Sequence, residues 1–112
     1  MLNLNDILQE ALKAYKVGQF EKSRQLLESG LAIDAHNQPC LWGLIKVCDE
    51  QGDESGSFNC LHQLVTLLPG DIVLLETFTA RCHTPQQMDL ALDLYTAFLH
   101  RIPDSANGYY NN

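Results

Sequence analysis

Gly18–Ala35, GQFEKSRQLLESGLAIDA, and Gly52–Pro69, GDESGSFNCLHQLVTLLP, are stretches whose like residues stand 34 positions apart. Each opens on glycine, carries a serine early (Ser23, Ser57) and a leucine four residues later (Leu27, Leu61). The step continues into a third copy, where Ser57 recurs as Ala91, Leu61 as Tyr95 and Pro69 as Pro103. Ahead of the glycines, Ile7, Leu41 and Leu75 keep the same interval. A fixed period of this length marks a stack of helix–turn–helix units, each too small to bury its own apolar face. Such a stack favours a surface that binds over a pocket that reacts.

Working outward, apolar residues follow helical spacing through nearly the whole chain. Leu4, Ile7, Leu8, Ala11, Leu12 and Tyr15 form a stripe with Asn3 as its cap. Phe20, Leu26, Leu27, Gly30 and Leu31 form the next, closed by a polar turn at Asp34 to Asn37. In the second unit Leu41, Leu44, Ile45 and Cys48 precede Gly52-Asp53, and Asp53 can cap a helix carrying Phe58, Leu61, Leu64 and Val65. Pro69-Gly70-Asp71 stops that helix. In the third, Leu75, Phe78 and Cys82 lead to Thr84-Pro85-Gln86-Gln87, which reads as a cap, a first-turn proline and a near capping box. The last stripe is Met88, Ala91, Leu92, Tyr95, Phe98 and Leu99, ending at Pro103. The spacing predicts helices at about 4–17, 20–34, 38–51, 54–68, 72–84 and 86–101. Short turns make successive helices antiparallel neighbours.

These residues resemble the tetratricopeptide repeat family, whose 34-residue unit pairs a helix A with a helix B. The likeness spans Leu4 to Asp104 in units 4–37, 38–71 and 72–104, with 105–112 as a tail or the start of a fourth repeat. It rests on the small residue early in helix B (Ser23, Ser57, Ala91), the large one four positions on (Leu27, Leu61, Tyr95) and the helix-ending Pro69 and Pro103. The resemblance implies one all-α domain over 1–112: a right-handed superhelical array of antiparallel helix pairs, about six helices long. There are departures. The glycine or alanine of mid helix A is Ala11, then Ile45 and Thr79, and the small residue late in helix B is Gly30, then Leu64 and Phe98. Larger side chains at such crossings push helices apart and change the pitch.

Composition narrows the function. With 7 basic and 14 acidic side chains, the net charge of −7 repels phosphate, so nucleic acid and anionic membrane surfaces are poor partners. No apolar run reaches the length of a membrane span, and the start MLNLNDILQE lacks a basic, apolar leader, which predicts a cytoplasmic protein. In that compartment Cys40, Cys48, Cys60 and Cys82 read as reduced thiols packed as small apolar groups. Cys48 and Cys82 stand 34 apart at positions equivalent to Ala14, and no paired metal-ligand spacing accompanies them, so no metal or cofactor is expected. The acidic run Asp49, Glu50, Asp53 and Glu54 lacks calcium-loop spacing and reads as a solvated helix start. Cys82 beside His83 points a third of a turn away from it, and there is no phosphate-cradling glycine loop, so no catalysis is expected.

Family geometry sets one face of each helix A on the concave side. It implies a partner-binding groove of Asn5, Leu8, Leu12 and Tyr15, then Pro39, Trp42, Lys46 and Asp49, then Val73, Glu76, Ala80 and His83. Trp42 near its centre is an expected anchor, because an indole joins large apolar area to one donor; the alternative is that it packs as core between helices. Some family members hold acidic C-terminal tails with basic residues; here those positions read Leu8, Leu12, Gly43, Val73 and Thr77, which favours a largely apolar peptide or partner helix. Two other functions stay open. One is a self-assembling segment in which an uncapped last helix (Leu90, Leu94, Ala97, Phe98) forms a homodimer, and the other is a repeat appendage of a larger enzyme such as a transferase.

Overall fold

The computed structural model describes residues 3–101, and over them the chain is all-helical. Six helices follow in order: α1 (Leu4–Lys16), α2 (Phe20–Ile33), α3 (Gln38–Gln51), α4 (Glu54–Leu67), α5 (Ile72–Ala80) and α6 (Pro85–Arg101). There is no strand among the described residues. Pro103 and the stretch Ala106 to Asn112, with Tyr109, lie outside them.

Local chemistry explains most boundaries. Asn3, Asn37 and Asp71 each accept the backbone N–H three residues on, from Asp6, Cys40 and Leu74, which caps α1, α3 and α5. Asp53 does the same for α4 through Gly56 N–H at 2.9 Å. Gly18 and Gly52 hold positive φ of 81° and 73°, so the glycine shared at the 34-residue step serves the same left-handed turn in both units. The third unit has Gln86 at that register and turns differently. Thr84 Oγ1 accepts from Gln87 N, while Gln87 Oε1 accepts from the backbone N–H groups of Thr84 and His83. This closed capping box claims the amides that a longer α5 would need, so α5 stops at Ala80 and not at the expected 84.

The chain divides into two compact units, Met1–Leu64 and Val65–Asn112, with the boundary inside α4. In the first, α1 packs on α2, α2 on α3, and α1 also meets α3. Its core is Ala11, Leu27, Cys40, Leu44 and Val47, flanked by the half-buried Leu4, Leu8, Tyr15, Phe20, Leu26, Leu31 and Cys60. Ser23 is buried where α1 and α2 cross, and its hydroxyl donates to the Ala11 carbonyl at 2.8 Å. Arg24 on α2 clasps the α3–α4 turn, pairing with Asp53 at 2.9 Å and donating to Gln51 Oε1 at 3.0 Å. In the second unit α5 packs on α6, with Leu74, Leu75, Phe78 and Ala91 buried.

Candidate functional site

A cleft of about 260 Å³ opens in the first unit, walled by Leu8, Leu12 and Tyr15 of α1 and by Pro39, Trp42 and Lys46 of α3. These wall residues recur at helical spacing on each helix, so each helix turns a single face to the cleft. Ala11, Ser23, Leu27, Gly43 and Val47 complete the lining. None of these was expected from sequence as part of the site. Gly43 is small for a packing reason, since a Cβ there would lie 3.0 Å from the Leu27 side chain, so no direct sequence signal marks the floor of the cleft.

Trp42 is 41% exposed and Leu12 53% exposed, while Leu8 and Tyr15 are half-buried. The indole therefore sits at a surface and not in the core, where Leu41, Leu44 and Ile45 occupy the buried positions of α3. Tyr15 stacks edge-on against Phe20 with centroids 5.5 Å apart, which fixes its ring at one end of the cleft. Its hydroxyl donates to Glu50 Oε1 at a long 3.4 Å. Partial desolvation, then the nearby Glu50 and Asp49 carboxylates, raise the Tyr15 pKa, so the phenol keeps its proton.

The other sequence-expected groove residues are not among the lining of this cleft. Asn5 and Asp49 are exposed and outside the lining, and Asp49 Oδ1 accepts from the Ser57 hydroxyl at 2.7 Å. Val73, Glu76, Ala80 and His83 are exposed in the second unit. On α6, Leu90, Leu94 and Phe98 are half-buried and Ala97 is exposed, whereas the most exposed large apolar residues are Met88, Leu92 and Leu99.

The lining is chemically quiet. The Ser23 hydroxyl is spent on a carbonyl. All four cysteines are free thiols whose pKa values are raised by burial, that of Cys60 to about 11, so little nucleophilic thiolate exists near neutral pH. Among the described residues no three His, Cys, Asp or Glu side chains gather as a metal site, and no helix is long and apolar enough to cross a membrane. Comparison with protein-family models and with curated proteins finds no match for this chain.

Proposed function

We propose that the chain is a non-catalytic protein-interaction module of the tetratricopeptide kind, holding a largely apolar peptide segment between α1 and α3. The observation that carries this reading is the cleft itself, where Leu12 of α1 and Trp42 of α3 line about 260 Å³ of open space and stay exposed. Apolar area left in water beside a concave surface is characteristic of binding sites. The 34-residue step and the paired helices support a superhelical array, in which helices A would line the inner wall.

Trp42 is the chain's single tryptophan, so its emission reports on the cleft directly. Peptides selected from a random display library against the whole chain should shift that emission to shorter wavelength on binding. Trp42→Ala, measured by calorimetry, should weaken the same peptides by about 2 kcal/mol or more, as loss of an anchor does. Selected peptides that bind Trp42→Ala and Leu12→Asp as well as the parent would overturn the reading.

Self-association is a second reading, favoured by one observation. Met88, Leu92 and Leu99 fall on one stripe of α6 and are 43%, 62% and 61% exposed. If this stripe mates with a second copy, Leu92→Glu should convert a dimer to a monomer in sedimentation velocity. A monomer at high concentration in the parent chain removes this reading.

A further inference from the structure

The polar groups that line the cleft are unbalanced. Tyr15, Ser23, Trp42 and Lys46 are its only polar side chains, and none is a carboxylate or an amide. The Ser23 hydroxyl is already committed to the Ala11 carbonyl. The single phenol proton is likewise given to Glu50, so two donors remain, the indole N–H and the ammonium. Trp42 and Lys46 make no hydrogen bond or ion pair among the described residues, and the Tyr15 bond to Glu50 is long at 3.4 Å. The Asp49 and Glu50 carboxylates, three and four residues past Lys46, accept from Ser57 and Tyr15, and neither lines the cleft. A chain of net charge −7 thus presents a cleft whose lining holds one ammonium and no carboxylate.

Resting on the interaction-module reading, we propose that the partner is a peptide segment in which an apolar side chain is followed, two residues on, by a glutamate or aspartate that pairs with Lys46. The spacing follows from geometry. Trp42 and Lys46 are one helical turn apart, about 5–6 Å along α3. In an extended peptide, residues i and i+2 project to the same side about 6.7 Å apart. An apolar side chain seated between Leu12 and Trp42 therefore places the carboxylate within reach of the ammonium, and the indole can donate to an intervening backbone carbonyl. Lys46 stands apart from the positions at which tail-binding relatives of this repeat kind hold a chain terminus, so the acidic group assigned to it belongs to a side chain.

The test uses the whole chain and three decapeptides, acetylated and amidated, each holding two leucines two positions apart. Two residues beyond the second leucine stands Glu, Gln or Lys. Binding is read from Trp42 emission. The Glu peptide should bind about three- to five-fold more tightly than the Gln peptide, the scale of a partly exposed ion pair. The Lys peptide should be weakest, and the gap should shrink with added salt. Lys46→Met should abolish the preference, and Lys46→Glu should invert it. Both substitutions are at an exposed position and should leave the helical circular dichroism unchanged. Equal affinity for the three peptides, or a Glu preference that survives Lys46→Glu, overturns the inference while leaving the apolar cleft in place. A gain made only by a Gln peptide with a free C-terminus also overturns it, by assigning the carboxylate to a chain end. No emission change with any peptide overturns this inference and the peptide-binding role together.

Discussion

Gly30 and Gly52 are glycines for opposite reasons. A Cβ at Gly30 would lie 2.7 Å from Cys40 Sγ and 3.3 Å from Leu4 Cδ1, so it is the packing of α2 against α1 and α3 that excludes a side chain. Gly52 faces open space, and its φ of 73° is what excludes one. Gly52→Ala should cost about 1 kcal/mol wherever its neighbours are changed. Gly30→Ala gains helix propensity but overpacks, and should cost about 1–2 kcal/mol net. Adding Cys40→Ala should recover part of the Gly30→Ala loss and none of the Gly52→Ala loss, since only the first pair is in contact. Urea unfolding of the two double variants decides it; equal recovery in both would refute the packing argument. Asp53 makes a second case at this scale. The Gly56 N–H, and then Arg24, hold its carboxyl below the usual range. A lowered acid stabilises the fold above its unfolded pKa, and that contribution is lost as pH falls through the folded value. Asp53→Asn keeps a capping oxygen but loses the charge. It should therefore be less stable than the parent at neutral pH and converge with it as the solution is acidified below the ordinary aspartate range. A gap that persists at low pH would mean the charge was not responsible.

Among the elements, α2 stands out because Gln19 precedes it with no side-chain hydrogen bond to the helix. Four neighbours have such a bond from Asn3, Asn37, Asp53 or Asp71. Gln19→Asp should raise the urea midpoint by an amount equivalent to about 0.5–1 kcal/mol, and Thr84→Ala, which opens the capping box of α6, should lower it by about 1 kcal/mol. No change in either would show that tertiary packing, not capping, fixes these ends. Asn3, Asp53 and Thr84 were legible as caps because such residues advertise the bond they make, whereas Asn37 and Asp71 read only as turn residues and the shared glycine only as a turn. The end of α5 was not legible. Residues 81–84 continue a helical apolar pattern through Cys82, and only the geometry of Gln87 reaching back to His83 and Thr84 shows that the amides are already claimed. The surface position of Trp42 could be read from the core-facing neighbours Leu41, Leu44 and Ile45. The floor of the cleft could not, because depth depends on which small residues of α1, α2 and α3 come together. Two apolar stripes run along α6 in the sequence, and periodicity alone does not say that Met88, Leu92 and Leu99 form the more exposed one.

At the scale of the molecule, the three-unit pattern of the sequence and the two compact units of the fold divide the chain differently. The pattern breaks at 71, after α4, whereas compactness breaks at Leu64, within it. In the repeat array proposed above the folding free energy would be a sum of unit and interface terms, so shortening the chain should lower stability by steps instead of abolishing structure. A fragment ending at Leu67 keeps α1 to α4, the core built from α1, α2 and α3, and every residue of the cleft. At under ~70 residues it lies near the lower limit for an independent core, so its margin should be small. The expected outcome is a fragment with helical circular dichroism, a cooperative melt at a clearly lower midpoint than the whole chain, and an emission response of Trp42 to peptide that is retained below that midpoint. A fragment that is unfolded at every temperature would make the chain one indivisible bundle. A fragment that melts with the parent would make the second unit a passenger. Only the intermediate result, a weaker but peptide-competent fragment, fits a chain built by repeating one hairpin.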